Sequence, residues 1–367
     1  MFRALRTLLF RLDPESAHGL TLRALAALPP ARSPVHGPVH DPVHDPVLET
    51  RFAGLAFPSP IGLAAGFDKD AVAWRQMLGF GFGFVEVGTL TPRPQAGNPR
   101  PRIFRLPADE AVINRLGFNN GGLDAALPRI APHDRLGVNV GANKDSPDRI
   151  ADYAHGVRAV ADKAAWITLN ISSPNTPGLR GLQGEALPEL LAAAAEARGV
   201  HTTPLFLKVA PDLDDAQMDA ITDACLASRL AGLIVSNTTL ARPASLTSPH
   251  AGETGGLSGQ PLFQPSTQVL AGFARRLQGR LPLIGAGGVA TAEQAYAKIR
   301  AGASAVQLYT ALVYHGPHLP ARIAANLSIL LRRDGFRSVA DAVGVDLAHE
   351  GTGTQARAGL EPPRRRP

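Results

Sequence analysis

Short apolar runs alternate with helical stretches along most of the chain, between about residues 50 and 335. An uninterrupted apolar run is typical of a strand buried on both faces, and its alternation with helices is typical of a parallel sheet. Eight such units predict an α/β fold, a (β/α)8 TIM barrel at residues 49–347. An open doubly wound sheet is the alternative, but no GxGxxG segment follows the first run. The eight runs are residues 61–65, 84–87, 136–140, 166–170, 205–209, 233–236, 283–286 and 306–309.

The N-terminal segment, residues 1–48, predicts an extension of two short helices followed by a linker. Phe2, Leu5 and Leu9 recur at helical spacing among arginines, and Asp13-Pro14 marks the start of a second helix. Amphipathic basic helices of this kind suit a protein that lies on a membrane surface, and a helical cap docked on the barrel is the alternative. The sequence has no run of 18 apolar residues, so no transmembrane helix is expected.

Two segments predict little ordered structure. Residues 29–47 contain a tandem Pro-Val-His repeat in which His36, His40 and His44 recur every fourth residue. The histidines suggest a metal site, but proline at the same spacing prevents a helix, so a linker is the preferred interpretation and no metal is expected. Residues 348–367, rich in Gly, Thr, Pro and Arg, predict a disordered basic tail.

Charge and cysteine content narrow the function classes. The net charge of +6 suggests a polyanionic partner, but residues 1–32 carry +3 and residues 348–367 carry +2, which leaves +1 for the barrel. A nucleic-acid partner is therefore not expected. The single cysteine, Cys225, excludes a disulfide framework, a cysteine zinc site and an iron–sulfur cluster within this chain.

The C-terminal ends of the eight runs, where barrel enzymes place their chemistry, carry amides, hydroxyls, glycines and two lysines. Lys69 and Lys208 belong to a set of only five lysines among 37 basic residues. Carboxylates are almost absent from these ends, so glycoside hydrolysis is not indicated. A donor-rich site suits an anion, and the Gly-Ala-Gly-Gly turn at residues 285–288 lies where barrels commonly hold a phosphate.

Seven segments of the barrel form a specific combination. They are GLAAGFDKD (62–70), VEVGT (85–89), GNPRPR (97–102), NRLGFNN (114–120), NISSPNT (170–176), GGLSG (255–259) and GAGGV (285–289). Together they resemble the dihydroorotate dehydrogenases that use FMN, over most of residues 1–347. The resemblance implies oxidation of (S)-dihydroorotate to orotate in pyrimidine (UMP) biosynthesis, with a proton removed from C5 and a hydride from C6.

In this resemblance Ser173 takes the position of the catalytic base. A free serine is a poor base, so a desolvated, closed pocket is expected around it. Other members carry cysteine there, whereas Cys225 lies in a predicted helix, so the resemblance places the chain with the membrane-associated, quinone-dependent class 2 enzymes. A soluble fumarate-linked dihydroorotate dehydrogenase and a flavoenzyme like the tRNA dihydrouridine synthases are the alternatives.

The resemblance also assigns binding roles and a Gly-rich lid at residues 176–184. The substrate residues are Lys69, Asn114, Arg115, Leu116, Gly117, Phe118, Asn170, Asn175, Asn237 and Thr238. The FMN residues are Ala65, Gly66, Phe67, Asp68, Lys69, Thr89, Asn139, Asn170, Lys208, Ser236, Gly259, Gly288, Tyr309 and Thr310. The residues expected nearest the quinone are His18, Arg100 and Tyr309.

The expected partners follow from the same resemblance. They are one FMN per chain, dihydroorotate and orotate, and a membrane quinone as co-substrate. We expect a monomer bound peripherally, through its N-terminal helices, to the cytoplasmic face of a bacterial inner membrane.

Overall fold

The structure, a computed structural model, describes residues 2–29 and 45–350. The Pro-Val-His repeat from residue 30 to 44, with its three histidines, and residues 351–367 lie outside the described residues. The strands are β1 (Thr50–Phe52), β2 (Leu55–Phe57), β3 (Ile61–Leu63), β4 (Phe84–Leu90), β5 (Ile103–Leu106), β6 (Ala111–Asn114), β7 (His133–Val140), β8 (Ala164–Asn170), β9 (Leu205–Val209), β10 (Gly232–Val235), β11 (Gly256–Gly259), β12 (Leu283–Ala286) and β13 (Ala303–Leu308).

Most of the helices pack around the barrel strands, whereas the first two lie at the mouth of a cavity at the C-terminal end of the barrel. The helices are α1 (Phe2–Leu9), α2 (Pro14–Ala26), α3 (Trp74–Leu78), α4 (Leu123–Ala126), α5 (Arg149–Val160), α6 (Leu187–Arg198), α7 (Asp215–Ala227), α8 (Phe263–Leu277), α9 (Ala292–Arg300), α10 (Thr310–His315), α11 (Leu319–Arg333), α12 (Val339–Ala342) and α13 (Val345–Glu350). Since α13 extends to Glu350, residues 348–350 of the predicted disordered tail are helical.

Eight strands close into a parallel barrel in the order β10-β12-β13-β3-β4-β7-β8-β9. Each of the eight predicted apolar runs supplies one of these strands, so the barrel prediction is confirmed and the open doubly wound sheet is wrong. The strands are buried on both faces: every residue of β4 and of β9 is buried.

An aromatic cluster closes the N-terminal end of the barrel. The antiparallel hairpin β1–β2 places Phe52 and Phe57 against Phe84, Trp166 and Phe206, which lie near the starts of their strands. The ring centroids of Phe57 and Phe84 lie 4.7 Å apart, an ordinary offset aromatic contact. The packing leaves the opposite, C-terminal end of the barrel for the functional site.

A three-stranded antiparallel sheet, β11-β6-β5, covers part of that C-terminal end. It was not predicted, and it joins segments far apart in the chain, with Gly256 in register with Asn114. The sheet holds residues 256–259 of one family segment and Asn114, the first residue of another.

The two N-terminal helices form as predicted. The Asp13 carboxylate accepts a hydrogen bond from the Ser16 N–H at 2.9 Å and caps α2. Glu15 pairs with Arg102 at 2.6 Å and so fixes α2 to the loop before β5. Among the described residues, no helix is both long and apolar enough to cross a bilayer.

Candidate active site

A cavity of about 960 Å³ opens at the C-terminal end of the barrel and extends outward between α1 and α2. Its inner wall is made by residues at the ends of the barrel strands. Its lining brings together most of the predicted site residues: His18, Ala65, Gly66, Phe67, Lys69, Thr89, Asn114, Leu116, Gly117, Phe118, Asn170, Ser173, Asn175, Lys208, Ser236, Asn237, Thr238, Gly259, Gly288, Tyr309 and Thr310.

Ser173 lies in the turn after β8 and is only 6% exposed. Its Oγ accepts a hydrogen bond from the Asn175 N–H at 3.3 Å, and no charged group of the described residues bonds to it. Arg180 supports the turn from behind, because its guanidinium donates to the carbonyl oxygens of Ser172 at 3.1 Å and Thr238 at 2.9 Å. The surroundings are therefore as desolvated as a serine base requires.

A chain of hydrogen bonds fixes the amide side chains beside Ser173. Asn237 Nδ2 donates to Asn170 Oδ1 at 3.1 Å, and Asn170 Nδ2 donates to Thr89 Oγ1 at 2.8 Å. Thr89 Oγ1 then donates to Asn139 Oδ1 at 2.5 Å, and Asn139 Nδ2 donates to the buried Glu86 at 2.7 Å. Because Asn139 Nδ2 donates to Glu86, Asn139 Oδ1 faces Thr89, and each bond in the chain then runs in the same direction. A ligand therefore meets amides of one fixed orientation.

Two lysines supply positive charge at two points of the cavity. Lys69 Nζ donates to Asn119 Oδ1 at 2.9 Å, and burial lowers the pKa of Lys69 to about 8. Lys208, on β9, is 6% exposed and makes no hydrogen bond with the described residues. Burial lowers its pKa, and the charge of nearby Glu86 opposes that shift. Both ammonium groups suit anionic groups of a ligand.

The turn after β12 has the form of an anion cradle. Gly287 and Gly288 have φ angles of +103° and +75°, which favour glycine. A Cβ on Gly288 would lie 2.4 Å from Phe263 Cα, since the start of α8 packs directly against it. Thr310 Oγ1 donates to Ser258 Oγ at 2.9 Å and joins the end of β13 to β11. The exposed backbone at this end of the cavity suits a phosphate.

Four predicted residues do not line the cavity: Asp68, Arg100, Arg115 and Asn139. The buried Asp68 carboxylate accepts two backbone N–H groups of its own loop, at 2.8 and 2.7 Å. Arg100 pairs with Glu15 at 3.0 Å, and Arg115 pairs with Glu253 at 2.8 Å. Asn139 belongs to the hydrogen-bond chain behind Thr89. These contacts shape the walls, and the ligand roles of the four residues stay predictions.

Sequence reasoning missed several polar residues of the cavity wall, among them Gln307 and Arg105. Gln307, on β13, is fully buried, and its Nε2 donates to Glu86 at 2.8 Å while its Oε1 has no hydrogen-bond partner among the described residues. A glutamine within an apolar strand was the signal that could have revealed it. Arg105, on β5, lies over the Phe10 ring at 4.7 Å from the ring centroid, and no sequence signal pointed to it.

The outer part of the cavity is an apolar cleft between α1 and α2. The His18 ring lies 5.4 Å from the Phe67 ring and 6.2 Å from the Tyr309 ring, between centroids. Burial and the charge of Lys69 lower the pKa of His18 to about 4, so its imidazole is neutral at physiological pH. The rings of His18, Phe67 and Tyr309 therefore form the inner end of the cleft, next to the polar part of the cavity.

The N-terminal segment exposes several apolar side chains, three of which, Leu5, Leu20 and Leu28, also line the cavity. Five of the eight exposed large apolar side chains among the described residues lie on this N-terminal segment, each between 43% and 61% exposed. They are Leu5, Leu8, Leu12, Leu20 and Leu28. A patch of this kind marks a surface that contacts a membrane or another protein.

The sole cysteine lies away from the cavity. Cys225, on α7, is 1% exposed among core side chains, and burial raises the pKa of its thiol to about 12. It behaves as a small apolar core residue.

A closed (β/α)8 barrel with a glycine cradle after its seventh strand and a polar pocket at its C-terminal end defines a TIM-barrel enzyme. Residues 47–331 match the family model described as "Dihydroorotate dehydrogenase". The chain belongs to the dihydroorotate dehydrogenase family, which confirms the resemblance found in the motifs and makes the chain an oxidoreductase.

Similar proteins agree over nearly the full chain. A protein of Sphingopyxis alaskensis named "Dihydroorotate dehydrogenase (quinone)" is 56% identical over 348 residues, which cover 92% of this chain and 95% of that protein. A protein of the same name from Cereibacter sphaeroides is 55% identical, over 94% of this chain and 98% of that protein. The crystal structure of DHODH from Eimeria tenella in complex with ferulenol has a TM-score of 0.85 at 41% identity, over 92% of this chain and 98% of that chain.

Proposed function

We propose that this chain oxidises dihydroorotate to orotate in pyrimidine biosynthesis, with FMN as the hydride acceptor and a membrane quinone as the terminal acceptor. The observation that carries the proposal is the buried Ser173 beside a directionally fixed amide chain, in the same cavity as the glycine cradle. The polar part of the cavity suits substrate and FMN, and the apolar cleft suits a quinone.

The substrate end of the cavity has the chemistry that dihydroorotate needs. The Lys69 ammonium suits the substrate carboxylate. The amides of Asn114, Asn175 and Asn237 each offer a donor and an acceptor to the pyrimidine edge. Asn175 Nδ2 already donates to Asn114 Oδ1 at 3.3 Å, so these two amides form one surface. Ser173 Oγ would accept the C5 proton while it gives up its own hydroxyl proton to solvent, so the serine ends the step neutral.

The cofactor end fits FMN. Gly288 and Thr310 would hold the phosphate, and Lys208 would place a positive charge at the flavin ring. The buried Gln307 Oε1 without a partner offers an acceptor to a ring N–H. When bound, FMN would supply the acceptor for the hydride that leaves C6 of the substrate, and the quinone would then reoxidise it.

The apolar cleft and the exposed leucines of α1 and α2 support the quinone and membrane parts of the proposal. A peripheral protein can bury such leucines in the lipid interface while its arginines attract anionic headgroups. The cleft would then receive the quinone directly from the membrane, with His18 and Tyr309 nearest to it. We propose that the chain is a monomer on the cytoplasmic face of a bacterial inner membrane.

The test measures orotate formation by the purified full-length protein with four electron acceptors in turn: a soluble ubiquinone analogue, a soluble menaquinone analogue, fumarate and NAD. We expect turnover with a soluble ubiquinone or menaquinone analogue, and little with fumarate or NAD. Faster turnover with fumarate would instead support the soluble class, and the absence of orotate with every acceptor would refute the proposal.

A further inference from the structure

Lys298, on α9, is a buried ammonium group for which the proposed function has no use so far. It is 0% exposed, and burial lowers its pKa to about 7. Its Nζ donates to Ser266 Oγ at 2.8 Å and Thr267 Oγ1 at 3.0 Å. Among the described residues, no Asp or Glu forms an ion pair with it.

Leaving such a group without a counter-charge is costly. Moving a charged group from water into a protein interior costs on the order of several kcal/mol of hydration free energy. An opposite charge nearby is needed to offset that cost. A methionine or leucine would fill the same volume without that loss. The two hydroxyl partners satisfy hydrogen bonds but do not balance the charge. Packing alone therefore does not account for a lysine at this position.

The position of Lys298 is directly behind the glycine cradle. A Cβ on Gly285, just before the turn, would lie 3.1 Å from Lys298 Cδ. Ser266, which accepts the Lys298 hydrogen bond, shares its hydroxyl proton between the carbonyl oxygens of Phe263 at 3.1 Å and Gly287 at 3.2 Å. Lys298 Nζ also lies 5.4 Å from the centroid of the Phe263 ring, and the Phe263 backbone packs on Gly288. A single group, the Ser266 hydroxyl, therefore lies between the Lys298 ammonium and the backbone of the glycine turn.

We propose that Lys298 is a positioning residue that supplies the buried positive charge opposite a phosphate dianion held on the Gly287–Gly288 turn. This inference rests on the proposed function, because the dianion is the phosphate of FMN. Lys298 does not touch the ligand: it acts through Ser266 and through its field. The phosphate, in turn, would supply the counter-charge that no Asp or Glu among the described residues provides.

The test compares FMN with riboflavin, which has the same ring system and no phosphate. Dissociation constants of both flavins are measured by fluorescence quenching on full-length protein freed of flavin, for the wild type, Lys298→Met and Lys298→Gln. Gln keeps a donor for Ser266 and serves if the Met variant fails to fold. Opposite unit charges about 10 Å apart change a binding constant about tenfold at an effective dielectric constant near 20.

We expect both variants to reduce the preference for FMN over riboflavin about tenfold or more, with riboflavin affinity nearly unchanged. Lys163→Met, at a half-buried lysine paired with Asp162, is the matched control and should keep the wild-type preference. An equal loss of affinity for both flavins would show a merely structural role and overturn the inference, as would an unchanged preference. Wild-type protein that binds neither flavin would instead refute the proposed function on which the inference rests.

Discussion

Replacing Ser173 with alanine removes the one hydroxyl that the proposed mechanism uses to accept the C5 proton. The structural cost is small, because Ser173 Oγ makes a single hydrogen bond, at 3.3 Å, from the Asn175 N–H. Losing it should change the free energy of unfolding by about 1 kcal/mol or less. A positioned general base contributes about 10²–10⁴-fold to a rate, or about 3–5 kcal/mol of activation free energy. The effect on chemistry should therefore far exceed the effect on folding.

The assay is anaerobic stopped-flow mixing of Ser173→Ala with dihydroorotate, with the loss of flavin absorbance as the signal. We expect FMN to be retained and the reduction rate to fall by about 10²–10⁴-fold. Ser173→Cys is the matched control, because a thiol can also accept a proton and should restore part of the rate. Reduction of Ser173→Ala at the wild-type rate would refute the assignment of the base.

Three further predictions concern other parts of the site. The KM for dihydroorotate should rise about tenfold per pH unit above about pH 8, because Lys69 then loses the positive charge that binds the substrate carboxylate. A KM that does not change with pH would contradict this. Gly288→Ala should lower the free energy of unfolding by about 1–3 kcal/mol, measured by urea denaturation, and lower the FMN content, because its φ is +75°. Leu8→Glu should weaken co-sedimentation with anionic vesicles, whereas the equally exposed Ile329→Glu on α11 should not.

The barrel and the place of Ser173 on the cavity wall were predictable because both leave local signals. Each barrel strand is a continuous apolar run, since parallel strands are buried on both faces. The start of α2 was likewise predictable, because Asp13-Pro14 is a local cap signal that tertiary contacts do not override. Ser173 was identified by its family segment, and the structure places it on the cavity wall.

The three-stranded sheet and the buried charges were not predictable, because they depend on contacts between distant segments. β11 pairs with β6 across about 140 residues, and each strand has only four residues, too few for a clear alternation. Because lysine is scarce, each of the five lysines was a candidate for a special role. Composition alone does not reveal that Lys298 packs against Gly285. Gln307 and Glu86 lie on different strands, β13 and β4. Their side chains come within hydrogen-bond distance only when the barrel is closed.

The most direct test of the account is an anaerobic titration of the purified protein with dihydroorotate, followed by a soluble quinone. The account predicts a yellow protein whose flavin absorbance disappears with about one equivalent of dihydroorotate and returns when the quinone is added. Flavin that stays oxidised in the presence of dihydroorotate, or a folded protein that binds no FMN, would contradict it.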